Sequence, residues 1–142
     1  MTNSFLHGKS AIVTGGASGL GLEIAVDLAQ HGANIAVMSL SQANTAKLAS
    51  EVKYFASETD IEKAKERIES FDVKCLSFDG DVSRQEDVIE MVTTSFDTFG
   101  SIDVLINNAA TNCIHKVLNH DNTAWKRIID VNLFGSYLCV RE

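Results

Sequence analysis

The 142-residue sequence contains no proline, and it shows no repeat, low-complexity tract or linker that would divide it. It is short of cysteine as well. Cys75, Cys113 and Cys139 are an odd number without metal-ligand spacing, which argues against a disulfide framework or a zinc site and suits a reducing, cytoplasmic setting. No apolar run reaches membrane-spanning length, and residues 1–9 lack the apolar stretch of a secretory signal. Positive charge is scarce: 12 Lys and Arg against 19 Asp and Glu give a net charge of −7, so nucleic acid and acidic membrane surfaces are not expected partners. His7, His31, His115 and His120 are scattered, and no metal site is predicted.

What is present alternates. Apolar strand candidates at residues 9–14, 34–39, 73–78 and 102–107 are separated by helical patterns near 20–31, 42–70, 84–99 and 121–142. Strand and helix in turn predict a single α/β domain with a doubly wound parallel sheet covered on both faces. Gly32 and Gly100 stand where the first and third helices should end, and His31 suits the negative end of the first. Ser83 with Glu86, and Thr59 with Glu62, have capping-box spacing. The long connection after the second strand is read as a helix, a break near Ala56-Ser57, and a second helix carrying Ile61, Ala64, Ile68 and Phe71.

Chemistry concentrates in Thr14-Gly15-Gly16-Ala17-Ser18-Gly19-Leu20-Gly21, between the first strand and the first helix. Glycines there allow a tight turn and close backbone approach, and a helix N-terminus offers free N–H groups and partial positive charge to a phosphate. The spacing is Gly-x-x-x-Gly-x-Gly through Gly15, Gly19 and Gly21, and no lysine follows as in a Walker loop. A structural turn is the plain alternative. Asp81-Val82 follows the third strand, and Asn107-Asn108-Ala109-Ala110 ends the fourth. In a doubly wound sheet these strand ends gather beside the glycine loop. Asp81 can accept from an adenine amino group and the small residues after Asn108 can lie against a ribose; a helix-flanking Asp and an Asn-rich turn are the alternatives. Asn132 falls in mid-helix, where its propensity is poor.

In this order the four signals resemble the short-chain dehydrogenase/reductase family, from near the N-terminus to Glu142. The resemblance implies the N-terminal part of a Rossmann fold with strand order 3-2-1-4, binding NAD or NADP. It implies that Gly15, Ser18, Gly19, Leu20 and Gly21 hold the pyrophosphate and that Asp81 and Val82 meet the adenine. It places Asn108, Ala109 and Ala110 along the ribose and nicotinamide side, and matches Asn132 to a helix-kinking Asn that holds a water in a proton relay. Ala110 replaces the family's usual glycine. The reaction implied is hydride transfer between a secondary alcohol or its ketone and the nicotinamide. Its base would be a Tyr-x-x-x-Lys tyrosine, with a Ser orienting the substrate, and neither motif occurs before Glu142. Tyr137, with Arg141 four residues on, is rejected as a substitute because it follows Asn132 closely on one helix, where core packing is expected. Tyr54 has Glu58 in place of the lysine.

Cofactor preference should lie at the end of the second strand, where an acid selects NAD and an arginine accommodates the NADP phosphate. Ser39, Leu40 and Ser41 stand there, and either hydroxyl suits either cofactor. Cys113 and His115 lie where the family's substrate pocket begins, while Trp125 is read as helix packing. The chain is expected to be an incomplete domain, inactive alone, from a protein forming a homodimer or homotetramer around a small alcohol or carbonyl substrate. Its outer edge at residues 102–107 would lack a neighbour, making the isolated chain poorly soluble or partly molten. The rival reading is a non-catalytic nucleotide-binding or interaction module that ends naturally at Glu142.

Overall fold

The computed structural model describes residues 4–42, 57–113, 116–119 and 121–142. Four parallel strands, β1 (Ser10–Thr14), β2 (Asn34–Ser39), β3 (Cys75–Asp79) and β4 (Val104–Ile106), form a sheet in the order β3-β2-β1-β4. Between them run α1 (Gly19–Gln30), α2 (Glu58–Glu69) and α3 (Gln85–Phe99). After β4 come a short 3-10 turn at Val117–Asn119, α4 (Asn122–Ile129), a π-helical turn at Asp130–Gly135, and α5 (Ser136–Arg141). The expected α/β order and strand sequence are both observed.

Side chains of a strand alternate between faces, and here both faces are buried. On one face Ala11, Val13, Ile35 and Val37 pack against Ala25, Val26 and Ala29 of α1 and Ile68 of α2. On the other, Ile12, Ala36 and Met38 meet Val88 and Met91 of α3, Val131 of the π turn and Leu138 of α5. Each fully buried Val, Ile, Leu or Met among them contributes about 1.5–3 kcal/mol. Burial pushes the Cys75 thiol up to about 12 and the Cys139 thiol up to about 11, so both act as packing groups.

Several local expectations are corrected. The cap of α2 is Ser57, whose hydroxyl accepts from the Asp60 N–H at 3.1 Å while Asp60 accepts from the Ser57 N–H at 2.9 Å. The Thr59/Glu62 box therefore falls inside the helix. Ser83 caps nothing, because α3 starts at Gln85 with Arg84 at the cap position and no side-chain cap. The single helix expected over 121–142 is interrupted at Asp130–Gly135. Tyr137 is not a core residue: it is 53% exposed and stacked on Phe134 at 5.9 Å, while Leu138 and Cys139 turn inward instead, and Trp125 is 56% exposed. His31 closes α1 as expected, with its ring nitrogen 2.7 Å from the Asp27 carbonyl. The helix expected before Ala56, Tyr54 and His115 lie outside the described residues.

Candidate functional site at the carboxyl edge of the sheet

Parallel strands all end on one edge, and there the loops after β1, β2, β3 and β4 surround a cavity of about 260 Å³. Its lining includes Gly15, Ser18, Leu20, Gly21, Ser39, Leu40, Asp81, Val82, Asn108, Ala109 and Ala110, residues that are scattered through the sequence. Gly19 opens α1 beside them, and Asn132 stands at one remove, joined to the lining residue Thr111.

The glycine loop is held from below. Its Gly15 N–H donates to the Met38 carbonyl at 2.7 Å, and its Ala17 N–H donates to the Ser39 hydroxyl at 3.0 Å. A Cβ on Gly21 would stand 2.2 Å from the Gly15 carbonyl oxygen, so only glycine lets the helix pack onto the turn. At Gly19 the chain takes φ +52° in open space, a conformation that disfavours any side chain. The N-cap Ser18 makes no side-chain cap, and the first turn of α1 carries no acid. Its first-turn N–H groups and the positive end of its dipole are therefore available to an anion.

Thr14 joins the loop to the end of β4. Its hydroxyl, 1% exposed with its residue, accepts from the N–H groups of Asn108 at 3.1 Å and Ala109 at 3.0 Å and donates to the Ile106 carbonyl at 3.3 Å. The Asn108 carboxamide donates in turn to the carbonyls of Thr14 at 2.9 Å and Gly15 at 3.3 Å. Asn108 is thus a clamp on the glycine turn.

Asp81 is buried, and both of its oxygens have partners within the chain. One accepts from the Ser83 N–H at 2.9 Å and hydroxyl at 2.7 Å; the other pairs with the Arg127 guanidinium at 2.7 Å. Arg127 also donates to the Ser83 hydroxyl at 2.6 Å. Sequence reasoning missed Arg127, Met38, Gly80, Thr111 and Val131 in the cavity wall. A signal for Arg127 existed: it precedes Val131 by four residues and shares its helix face. Asn132 uses its side chain on the backbone of Thr111, accepting from the N–H at 2.8 Å and donating to the carbonyl at 3.0 Å. Its own carbonyl accepts from the Ser136 hydroxyl at 3.0 Å. Ser41, offered as a ribose contact, is fully buried with its hydroxyl on Asp79 at 2.6 Å. Neither Trp125 nor Tyr137 lines the cavity. Among the described residues, no cluster suited to a metal ion is found.

Comparison with known proteins places this geometry. A 3-oxoacyl-(acyl-carrier-protein) reductase of Staphylococcus epidermidis is 31% identical over 134 residues, covering 94% of this chain and 49% of the relative. A peroxisomal 2,4-dienoyl-CoA reductase of Arabidopsis thaliana is 27% identical over 132 residues, covering 93% and 39%. Among solved structures, carveol dehydrogenase from Mycobacterium avium in complex with NAD superposes with a TM-score of 0.86 at 24% identity, over 96% of this chain and 48% of that one. NAD+-bound xylitol dehydrogenase superposes with a TM-score of 0.81 at 26% identity, over 96% and 47%. The chain spans about half the length of the relatives it matches. The family model described as short chain dehydrogenase matches residues 9–69 and 55–142, and the chain belongs to that oxidoreductase family.

Proposed function

We propose that this chain is the nicotinamide-dinucleotide-binding part of an oxidoreductase that interconverts a secondary alcohol and a ketone with NAD or NADP. The observation that carries the reading is the convergence of the glycine loop, the β2 end, Asp81-Val82 and Asn108-Ala109-Ala110 on one cavity. The reductase and dehydrogenase names of its relatives, two of them solved with NAD, support the same chemistry.

The residues present fit such a group. The α1 N-terminus lacks both cap and acid, as an anion site requires. Two of the three buried side-chain atoms without a partner among the described residues, Thr111 Oγ1 and Arg127 Nε, belong to lining residues. When bound, the nicotinamide supplies or accepts the hydride. The loop at residues 15–21 holds the pyrophosphate, with Ser18, Gly19 and Leu20 at its mouth. Ser39 and Leu40 border the adenosine ribose. Val82 is an apolar wall for the adenine, and Asp81 frames that pocket through Arg127 and Ser83, since its carboxylate is already engaged. Asn108, Ala109 and Ala110 give the chain a flat path beside the second ribose. Asn132 positions the segment after Ala110 through Thr111 and so contributes to catalysis from outside contact with the substrate. The orienting Ser and the Tyr-x-x-x-Lys base are assigned to the rest of a longer, cytoplasmic protein that assembles as a homodimer or homotetramer.

Titration of the chain with NADH and NADPH, followed by nicotinamide fluorescence, tests the site. Saturable binding of at least one is expected, and no response to either would end the reading. The coding sequence after Glu142 separates the enzyme from a non-catalytic module: a downstream Ser and Tyr-x-x-x-Lys favour the first, an immediate stop codon the second.

A further inference from the structure

The end of β2 is uncharged in sequence, yet the sheet brings a carboxylate to it. The parallel register sets Asp79, the last residue of β3, beside Ser39, the last of β2. The following Gly80 N–H donates to the Ser39 carbonyl at 3.2 Å. The Asp79 carboxylate accepts from the Ser41 N–H at 2.8 Å and the Ser41 hydroxyl at 2.6 Å, while Asp79 itself is exposed. Ser39, Leu40 and Gly80 all line the cavity, so Asp79 adjoins the wall through Gly80 and its strand partner Ser39, while Asp79 itself lines a neighbouring hollow with Asp87 and Glu90. Ser39 is neutral, 8% exposed, and its hydroxyl accepts from the Ala17 N–H, so it supplies no negative charge against a phosphate.

The other charges at this end point the same way. Arg127 is the one cation among the described lining residues; Asp81 neutralises its charge and, with Ser83, engages its two terminal nitrogens, leaving only the Nε–H as a donor without a partner among the described residues. Ser18, at the mouth of the glycine loop, is neutral. A phosphate monoester brings nearly two negative charges and needs a free cation, whereas a ribose hydroxyl needs only an acceptor. A carboxylate has about four acceptor sites, of which Ser41 uses two here, leaving capacity for a hydroxyl or a bridging water.

We propose that Asp79 sets the cofactor preference of this site: it repels a 2′-phosphate and admits a 2′-hydroxyl, so the protein takes NAD over NADP. The acid that would stand at the end of β2 is supplied across the sheet from β3. This inference rests on the dinucleotide reading of the cavity.

The test is the affinity ratio of NADH to NADPH, measured by fluorescence titration of the full chain, its Asp79→Asn variant and an Asp97→Asn control. Asparagine can keep both Ser41 bonds, accepting from the N–H and donating to the hydroxyl, so mainly the charge changes. Asp97, an exposed carboxylate near the far end of α3, corrects for net charge. NADH is expected to bind about tenfold tighter than NADPH, and Asp79→Asn to shrink that ratio by about tenfold while Asp97→Asn leaves it in place. In the unaltered chain, raising ionic strength should narrow the ratio, a readout that needs no variant. NADPH binding as tightly as NADH, or an Asp79→Asn ratio equal to that of Asp97→Asn, overturns the proposal while leaving the dinucleotide site standing. Absence of binding by both cofactors overturns the site and this proposal together.

Discussion

The two ends of the sheet are built on opposite principles. At the amino edge, polar groups are mutually satisfied. Asp103 accepts from Lys9 at 2.8 Å, from the Ser10 N–H at 3.0 Å and from the Ser101 hydroxyl at 2.9 Å, and the Ser10 hydroxyl donates to the Ser101 carbonyl. At the carboxyl edge the backbone is held as firmly, by Thr14 and Asn108, but donors are left over. The start of α1 has no side-chain cap, and Thr111 Oγ1 and Arg127 Nε have no partner among the described residues. Closed networks anchor a fold, whereas unmet donors on a rigid support suit a ligand, since burying an unsatisfied polar group costs about 1–3 kcal/mol unless a ligand or water answers it.

The contrast breaks most sharply at glycines. Gly21→Ala drives a methyl into the Gly15 carbonyl and should weaken NADH binding about a hundredfold, the scale of a site displaced by about 1 Å. Gly100→Ala, near the amino edge with φ +83° and open space, should cost only about 1–2 kcal/mol of stability and leave NADH binding intact. Equal losses of binding in the two variants would erase the distinction. Next in size is Thr14→Val, which strands the Asn108 and Ala109 N–H groups; a loss of about 3 kcal/mol is expected from chemical denaturation.

Asn132→Ala removes a clasp that solvent partly replaces, and about 1 kcal/mol is expected. In the complete enzyme the same variant should lower turnover more than cofactor affinity, and equal losses would make Asn132 purely structural. The smallest effect belongs to the amino edge. The lysine and its neighbouring donors hold the Asp103 carboxyl down at about 2, below its ordinary 3.8. A depressed folded-state value stabilises the fold above about pH 4, and this contribution disappears as pH falls toward 2. Asp103→Asn should flatten the acid limb of an unfolding curve over that window, leaving neutral-pH cofactor binding unchanged.

Much of this was legible from local pattern. The strand and helix order followed from apolar periodicity, and the cavity gathered nearly all the residues that the glycine loop, Asp81, Asn108 and the β2 end had suggested. Boundaries were less legible. Ser57 with Asp60 and Thr59 with Glu62 have the same spacing, and nothing local says which caps the helix. The pattern over 121–142 kept a helical period through the π turn, because one inserted residue shifts a face too little to show in so short a segment. Tyr137 read as a core residue, but it is 53% exposed and stacks on Phe134, while its neighbours Leu138 and Cys139 face the core.

The sequence by itself determined the class of fold, the glycine turn and the family, because each depends on near neighbours along the chain: periodicity, φ freedom, and motifs a few residues long. Only the tertiary structure decided how the polar groups are used. Thr14 meets Asn108 across 94 positions, Asp79 meets Ser41 across 38, and Arg127 reaches Ser83 across 44. A hydrogen bond is a matter of a few ångströms and an angle. Which donor finds which acceptor was set by strand register and helix packing, and with it which groups were left free for a ligand.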